Sequence, residues 1–253
     1  MTERSYRTAL VTGASSGLGR GLALWLGKRG VKVYAAARRR PQLEALAREA
    51  KVAGADVEPV ELDVSQARAT LERVRELDAA CGGLELVVAN AGVGGQTHAQ
   101  RFDWEYARKI IDVNVTGAVA TLSAVLPLMV ERNHGHLVGV SSLASCRGLP
   151  RNAAYSASKA FLNTFLESLR VDLHGTGVRV TCIKPGFVKT EMTAGTRHPM
   201  PFLLEVEPAV ELMGQAIVRG VDEYGFPWPM ARAVEVAKLV PNLVFDPIAS
   251  RVL

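Results

Sequence analysis

The segment that most constrains the fold is Thr12-Gly13-Ala14-Ser15-Ser16-Gly17-Leu18-Gly19, which follows the apolar run Thr8 to Thr12 and opens a stretch of helical period reaching Arg29. Glycines at these spacings let the backbone turn sharply and approach a phosphate, while the unpaired N–H groups and positive end of the following helix attract an anion. A glycine-rich turn alone is weak evidence. Strand before and helix after make this one a dinucleotide cradle in the first β-α-β unit.

The rest of the chain repeats that unit. Short β-branched or apolar runs at Val31 to Ala37, Asp56 to Leu62, Leu84 to Ala89, His136 to Ser141 and Val178 to Ile183 alternate with helix-like stretches at Pro41 to Lys51, Ser65 to Ala80, Phe102 to Glu131 and Ala153 to His174. That alternation predicts an α/β fold, a doubly wound parallel sheet with helices on both faces. Pro41 suits the first turn of its helix, and Ser65 is expected to cap the next. No linker or repeat interrupts the series before residue 190, so the 253 residues are read as a single domain. After Thr190 an irregular segment, about 190–208, precedes a helix-like Pro208 to Arg219, and an apolar tail of about 226–253 closes the chain.

Composition bounds the partners. A formal charge of +5 and a pI near 9.3 suit phosphate-bearing ligands but are too mild to imply nucleic acid. Cys81, Cys146 and Cys182 form no Cys-x-x-Cys pair, which argues against a disulfide framework or zinc site and for a reducing, cytoplasmic setting. The N-terminal seven residues hold no apolar stretch of the secretory kind, and Gly117 to Val130 falls short of the roughly 20 apolar residues a spanning helix needs. No transmembrane segment is expected.

Cofactor choice is expected at the end of the second strand, where an acid would bind the adenosine ribose. Here Ala35-Ala36-Ala37 runs into Arg38-Arg39-Arg40, with no carboxylate until Glu44. A guanidinium holds a phosphate through paired hydrogen bonds, so Arg38, supported by Arg39, is expected to take a 2′-phosphate. NADP(H) is therefore preferred, with NAD(H) as the alternative; a solvated basic loop is the competing reading of the arginines.

Tyr155-Ser156-Ala157-Ser158-Lys159 puts the phenol and the ammonium on one helix face. The ammonium is expected to favour the phenolate, and Ser142 at a strand end to polarise a carbonyl oxygen. Gly13-x-Ser15-x-Gly17 also fits the elbow of a serine hydrolase, with His136, His174 or His198 as nominal bases. An elbow on the first strand leaves no earlier strand-to-helix loop to complete an oxyanion hole. Cys146 is read as packing rather than as a nucleophile, and His134-x-His136 as a turn rather than a metal pair.

Thr12-Gly13-x-x-x-Gly17-x-Gly19, Asn90-Ala91-Gly92, Ser142, Tyr155-x-x-x-Lys159 and Pro185-Gly186 occur in an order and spacing that resembles the classical short-chain dehydrogenase/reductase family over residues 7 to 190. The resemblance implies one Rossmann-type domain, with seven parallel strands in most members. It implies cofactor contacts at Gly13, Ser15, Ser16, Gly17, Leu18, Gly19, Asp63, Val64, Asn90, Ala91 and Gly92, with Asp63 and Val64 at the adenine. Pro185, Gly186, Val188 and Thr190 would serve the nicotinamide end, Tyr155 and Lys159 would touch the cofactor, and Asn114 would hold a water relay to Lys159. Ordinary turn, kink and capping roles compete for Asn90, Asn114 and Asp63.

The implied reaction interconverts a carbonyl and a secondary alcohol by hydride transfer, with Tyr155, Ser142, Lys159 and Asn114 catalytic. Met192, Met200, Phe202, Leu203 and Leu204 suggest an apolar lid, and hence a small to medium apolar substrate. A nucleotide sensor without turnover is the other class, disfavoured because it has no use for Ser142, Tyr155 and Lys159. The chain lacks the glycine-rich ending common in tetrameric members, which favours a homodimer through the two long helices over a tetramer. The tail residues Val234, Ala237, Leu239, Val240, Leu243, Val244, Phe245 and Ile248, broken by Pro241, are expected to pack near the lid, with a dimer contact as the competitor.

Overall fold

The computed structural model describes residues 4–195 and 199–252. Seven strands, β1 (Thr8–Thr12), β2 (Lys32–Ala37), β3 (Val57–Glu61), β4 (Leu86–Ala89), β5 (Gly135–Val140), β6 (Val178–Pro185) and β7 (Glu223–Phe226), form one sheet in the order β3-β2-β1-β4-β5-β6-β7. Every pairing is parallel. Successive side chains of a strand point to opposite faces, and where both faces are covered, as in β4 and β5, every residue of the strand is buried. In β1, Ala9 and Val11 pack on one side and Leu10 on the other. Helices α1 (Gly17–Gly27), α2 (Arg40–Val52) and α7 (Val206–Arg219) bury Leu22, Leu26, Leu43, Leu46, Met213 and Ile217 against the first face. The second face takes α3 (Ala67–Ala80), α5 (Ala118–Glu131) and α6 (Ala153–Asp172) through Val74, Leu77, Leu122, Met129, Leu162 and Leu166.

The strand order reverses between β1 and β4. The crossovers from β1 lead outward to β2 and β3, and those from β4 lead outward on the other side, which opens a crevice at the carboxyl ends of these two strands. That crevice receives the glycine loop.

Several expectations are corrected. Ser65 does not cap α3: the helix begins after Gln66, and the Ser65 hydroxyl donates instead to Asp63 Oδ1 at 2.8 Å. The stretch from Phe102 to Glu131 is continuous but not uniform: α4 (Trp104–Ile111) passes into a π-helical turn, Asp112–Gly117, before α5. Asp103 caps α4 by accepting from the Tyr106 N–H at 3.1 Å. Taken whole, Trp104–Glu131 is long and apolar enough to cross a membrane, but more than half of it is buried in the protein. β7 was hidden in Glu-Tyr-Gly-Phe because a four-residue edge strand with an outward glutamate lacks a clear alternating pattern.

The tail forms α8 (Trp228–Leu239) and α9 (Asn242–Val252), separated at Pro241 as expected. Its packing is only partial. Arg147 donates to the Ala237 and Val240 carbonyls at 2.7 and 2.5 Å and lies over the Phe245 ring, yet Leu239 and Leu243 remain 84% and 88% exposed. Met230 and Ala231 at the start of α8 pack on Gly186 and Gly225, and Ala249 of α9 is buried, while most of the other apolar residues stay exposed or half-buried.

At the amino edge of the sheet a buried polar chain ties three elements together. Tyr6 Oη donates to His136 Nδ1 at 2.7 Å, His136 Nε2 donates to Thr181 Oγ1 at 2.8 Å, and the Thr181 hydroxyl donates to the Val221 carbonyl at 2.5 Å. This set uses neutral His136 completely, and burial lowers its pKa from 6.5 to about 3. The unfolded chain then binds a proton below about pH 6.5 that the folded chain refuses until about pH 3, so stability falls with acidification across that window. Tyr6→Phe strands the imidazole acceptor and is expected to cost about 1–3 kcal/mol in urea unfolding, without changing dinucleotide affinity. An unchanged urea midpoint would refute the network's role.

Candidate active site at the carboxyl edge of the sheet

The site begins with Thr12, the last residue of β1. Its buried hydroxyl donates to the Val88 carbonyl at 3.3 Å and accepts from the Asn90 and Ala91 N–H groups, both at 3.1 Å. Asn90 Nδ2 returns a bond to the Thr12 carbonyl at 2.8 Å. The turn after β1 is thereby pressed onto the turn after β4. Gly13 takes φ +69° and lies so close that a Cβ would stand 2.7 Å from Ala91 Cα. At Gly19 a Cβ would stand 2.4 Å from Asn90 Nδ2 and 2.5 Å from the Gly13 carbonyl oxygen. The first N–H groups of α1, which starts at Gly17, lack helical acceptors and face this crevice. Leu18 anchors the helix in the core.

Arg39 defines the far side of the loop. Its Nε and Nη2 donate to Ser15 Oγ at 3.1 and 3.0 Å, Nη2 also reaches Ser16 Oγ at 2.7 Å, and Nη1 pairs with Glu191 at 2.9 Å. Arg38 is exposed and makes no hydrogen bond or ion pair among the described residues. Arg39, rather than Arg38, is therefore the guanidinium set against the glycine loop. Asp63 turns inward on Ser65, and Val64 packs under Gly117 at the start of α5.

The second half lies beyond β5. Ser142 leaves the strand in extended conformation, accepts from the Ala144 N–H at 3.1 Å and stands beside the Tyr155 phenol, whose pKa it lowers. Tyr155 and Lys159 share a face of α6, with Nζ 5.9 Å from the ring centroid. Lys159 is 4% exposed and donates to the Val140 carbonyl at 2.8 Å. Burial is the largest influence on both. It pulls Lys159 down to about 8 and pushes Tyr155 above its usual 10, only partly offset by Ser142. The expected lowering of the phenol by Lys159 is not what this geometry gives; Tyr155 is a neutral acid near pH 7.

Asn114 sits in the π turn, whose extra residue aims its amide across to β4. Oδ1 accepts from the Val93 N–H at 2.8 Å, while Nδ2 donates to the Val93 carbonyl at 2.9 Å and to Ser158 Oγ at 3.0 Å. A Cβ at Gly92 would lie 3.4 Å from both Asn114 Oδ1 and Lys159 Nζ, so the two side chains border the same small space. Across the crevice, Gly186 donates to the Phe226 carbonyl at 2.7 Å, Val188 is buried beneath a bridge to Leu204, and Thr190 touches Gly17. Pro185 ends β6 and its carbonyl faces Ser142. Glycine loop, strand-end serine, tyrosine and lysine thus line one edge, the arrangement that hydride transfer with proton donation requires.

The short chain dehydrogenase profile matches residues 7–201. The chain belongs to the short-chain dehydrogenase/reductase family. It is an oxidoreductase of the NAD(P)-dependent kind, and a protein of Myxococcus xanthus described as an uncharacterized oxidoreductase is 70% identical to it over 251 residues, 99% of each chain. Among solved structures, a serine dehydrogenase complexed with NADP+ is 32% identical, with a TM-score of 0.77 over 87% of this chain and 94% of that one. A Burkholderia phymatum family member in complex with NAD shares the fold at a TM-score of 0.85 and 23% identity, covering 94% of each chain.

As a short-chain dehydrogenase the protein leaves the hydrolase alternative without a base among the described residues. Ser15 is held by Arg39, His136 lies at the opposite edge of the sheet, and His174 follows the far end of α6. His198 is outside the described residues. No cluster of metal-ligating side chains occurs among the described residues. Cys146 gives its thiol hydrogen to the Leu143 carbonyl, and burial raises its pKa, which makes it unreactive.

Sequence reasoning missed the Thr12 knot, Tyr106, whose hydroxyl donates to the Gly94 carbonyl at 2.5 Å, and the partnership of Arg39 with Glu191. Only Thr12 carried a signal, its place in the glycine motif; the others depend on tertiary approach. The tight passage at Gly19 gives a sharp expectation. Gly19→Ala must displace backbone, so it should weaken dinucleotide binding at least tenfold in a calorimetric titration while the circular dichroism spectrum stays native. Undiminished affinity would remove the glycine loop from the site.

Proposed function

We propose that the protein interconverts a carbonyl compound and its secondary alcohol on a small to medium apolar substrate, using NADP(H) in preference to NAD(H). The observation that carries this reading is the placement of Ser142 beside Tyr155, with Lys159 buried one turn along α6, on the same sheet edge as the glycine loop. The Gly17–Gly19 N–H groups and Arg39 would hold the dinucleotide, which would supply or accept the hydride. Tyr155 Oη delivers the proton to the substrate oxygen during reduction and takes it back during oxidation. Ser142 Oγ orients that oxygen, and Lys159 holds its positive charge under the phenol side of the site. Because Tyr155 is neutral near pH 7, it is poised as a donor, which suits carbonyl reduction; oxidation needs the phenolate and gains as pH rises.

An apolar substrate fits the walls. Met192 lies over Gly94, whose Cβ position is 3.1 Å from the Met192 sulfur and 3.8 Å from Tyr155 Cε2, and Met230 of α8 rests on Gly186. The NADP preference is supported by Arg39 on the serine hydroxyls and by the absence of an acid at the end of β2. The structural relatives differ among themselves on this point, binding NADP+ in one case and NAD in the other. A homodimer is supported by the exposed apolar residues Trp104 and Ile111 on α4 and Phe161 and Val171 on α6, where Phe161 stacks on Phe165. A cytoplasmic setting is proposed from the three free cysteines.

The test separates chemistry from binding. With a carbonyl panel followed at 340 nm, Tyr155→Phe should lose at least about 100-fold in turnover while its dissociation constants for NADPH and NADH stay within about threefold of wild type, NADPH remaining the tighter. Near-normal turnover in this variant would overturn the mechanism.

A further inference from the structure

Arg39 has two partners of opposite character. On its inner side are the hydroxyls of Ser15 and Ser16, neutral groups of the glycine loop. On its outer side is the Glu191 carboxylate, 2.9 Å from Nη1, carried by the segment that follows β6. That segment crosses the crevice at this point, since neighbouring Thr190 lies against Gly17. Arg39 and Glu191 are 152 residues apart in sequence and join the two lips of the cofactor cleft.

The pair is solvent-exposed, with side chains 40% and 66% accessible. Exposed ion pairs hold weakly, because water competes for both partners and two long side chains must be kept in one geometry. The other acids nearby are already engaged elsewhere: Glu44 and Glu61 with Arg40, and Glu49 with Arg20. Glu191 is thus the carboxylate that Arg39 meets.

We propose that Glu191 sets how strongly the protein distinguishes NADP from NAD, by competing with the adenosine 2′-phosphate for the Arg39 guanidinium. The inference rests on the reading of Arg39 as the 2′-phosphate ligand. A phosphate dianion docking on Arg39 through paired hydrogen bonds must take Nη1 from Glu191, and it also meets the repulsion of that carboxylate. A ribose 2′-hydroxyl carries no charge and faces neither cost. Glu191 therefore weakens the phosphorylated dinucleotide selectively, keeping the preference below what Arg39 alone would give. The carboxylate missing from the end of β2 is in effect supplied from the opposite lip, by a residue free to leave.

Titrations of the full-length protein with NADP+ and NAD+, by calorimetry, test this without any substrate. The quantity read is the ratio of the NAD+ dissociation constant to that of NADP+. Glu191→Gln keeps the size and removes the charge; it should raise the ratio at least threefold, chiefly by tightening NADP+. Arg39→Ala should lower the ratio at least tenfold, and adding Glu191→Gln to Arg39→Ala should then change it by less than twofold. An unchanged or lower ratio in Glu191→Gln, with Arg39→Ala still costing NADP+ affinity, overturns the competition and leaves the cofactor reading intact. If Arg39→Ala leaves the ratio unaltered, the assignment of the 2′-phosphate to Arg39 fails, and the inference fails with it. A rise in the ratio that persists in the double variant also overturns it, since a general loss of negative charge would then explain the effect.

Discussion

The hydroxyl of Thr12 joins the two turns on which the site is built. With one donated and two accepted hydrogen bonds it uses its full capacity, and it does so at the point where the sheet reverses its winding. The backbones of Gly13 and Ala91 can approach only because the glycine carries no Cβ, and the start of α1 is then fixed relative to Asn90. A parallel sheet supplies such a crevice wherever its order reverses, but an anion site results only when N–H groups converge on it without protein acceptors of their own. Thr12 and Asn90 use the neighbouring groups and leave those at the helix start.

Burial governs the chemistry of the other half. Lys159 lies almost fully enclosed and bonds a main-chain carbonyl, which keeps a cation under the substrate side while lowering its pKa to about 8. Tyr155 is shifted the opposite way by the same desolvation, because the charged form is the deprotonated one for a phenol and the protonated one for an amine. The same burial thus drives the two values apart, Lys159 below its usual value and Tyr155 above its own. The phenol is thereby kept protonated as a donor near neutral pH, with the ammonium held beside it. Ser142 contributes twice, capping the turn after β5 and favouring the ionised phenol.

Much of this was legible in the chain. The bounds of β1 follow from the sequence, because a β-branched and apolar run of five residues leading into a glycine turn leaves little choice. Tyr155 and Lys159 were legible from spacing, since four residues on a helix mean one face. What sequence could not supply was approach between distant segments. Arg38 and Arg39 are equivalent as text, and only the twist at the end of β2 turns one onto Ser15 and leaves the other in solvent. Glu191 has no local signature, and the π turn that aims Asn114 interrupts a helix whose residues carry ordinary helical periodicity. The apolar tail misled for a related reason: hydrophobicity predicts that residues seek cover, but not that the body of the same chain provides it.

The most direct test of the account is a crystal structure of the protein with NADP+. The account predicts the dinucleotide along the carboxyl edge, with its pyrophosphate on the N–H groups at the start of α1, its 2′-phosphate on Arg39 and its nicotinamide ribose within hydrogen-bond reach of Lys159. A dinucleotide bound away from this edge, or lying along it in the reverse direction with adenosine beside Tyr155, would contradict it.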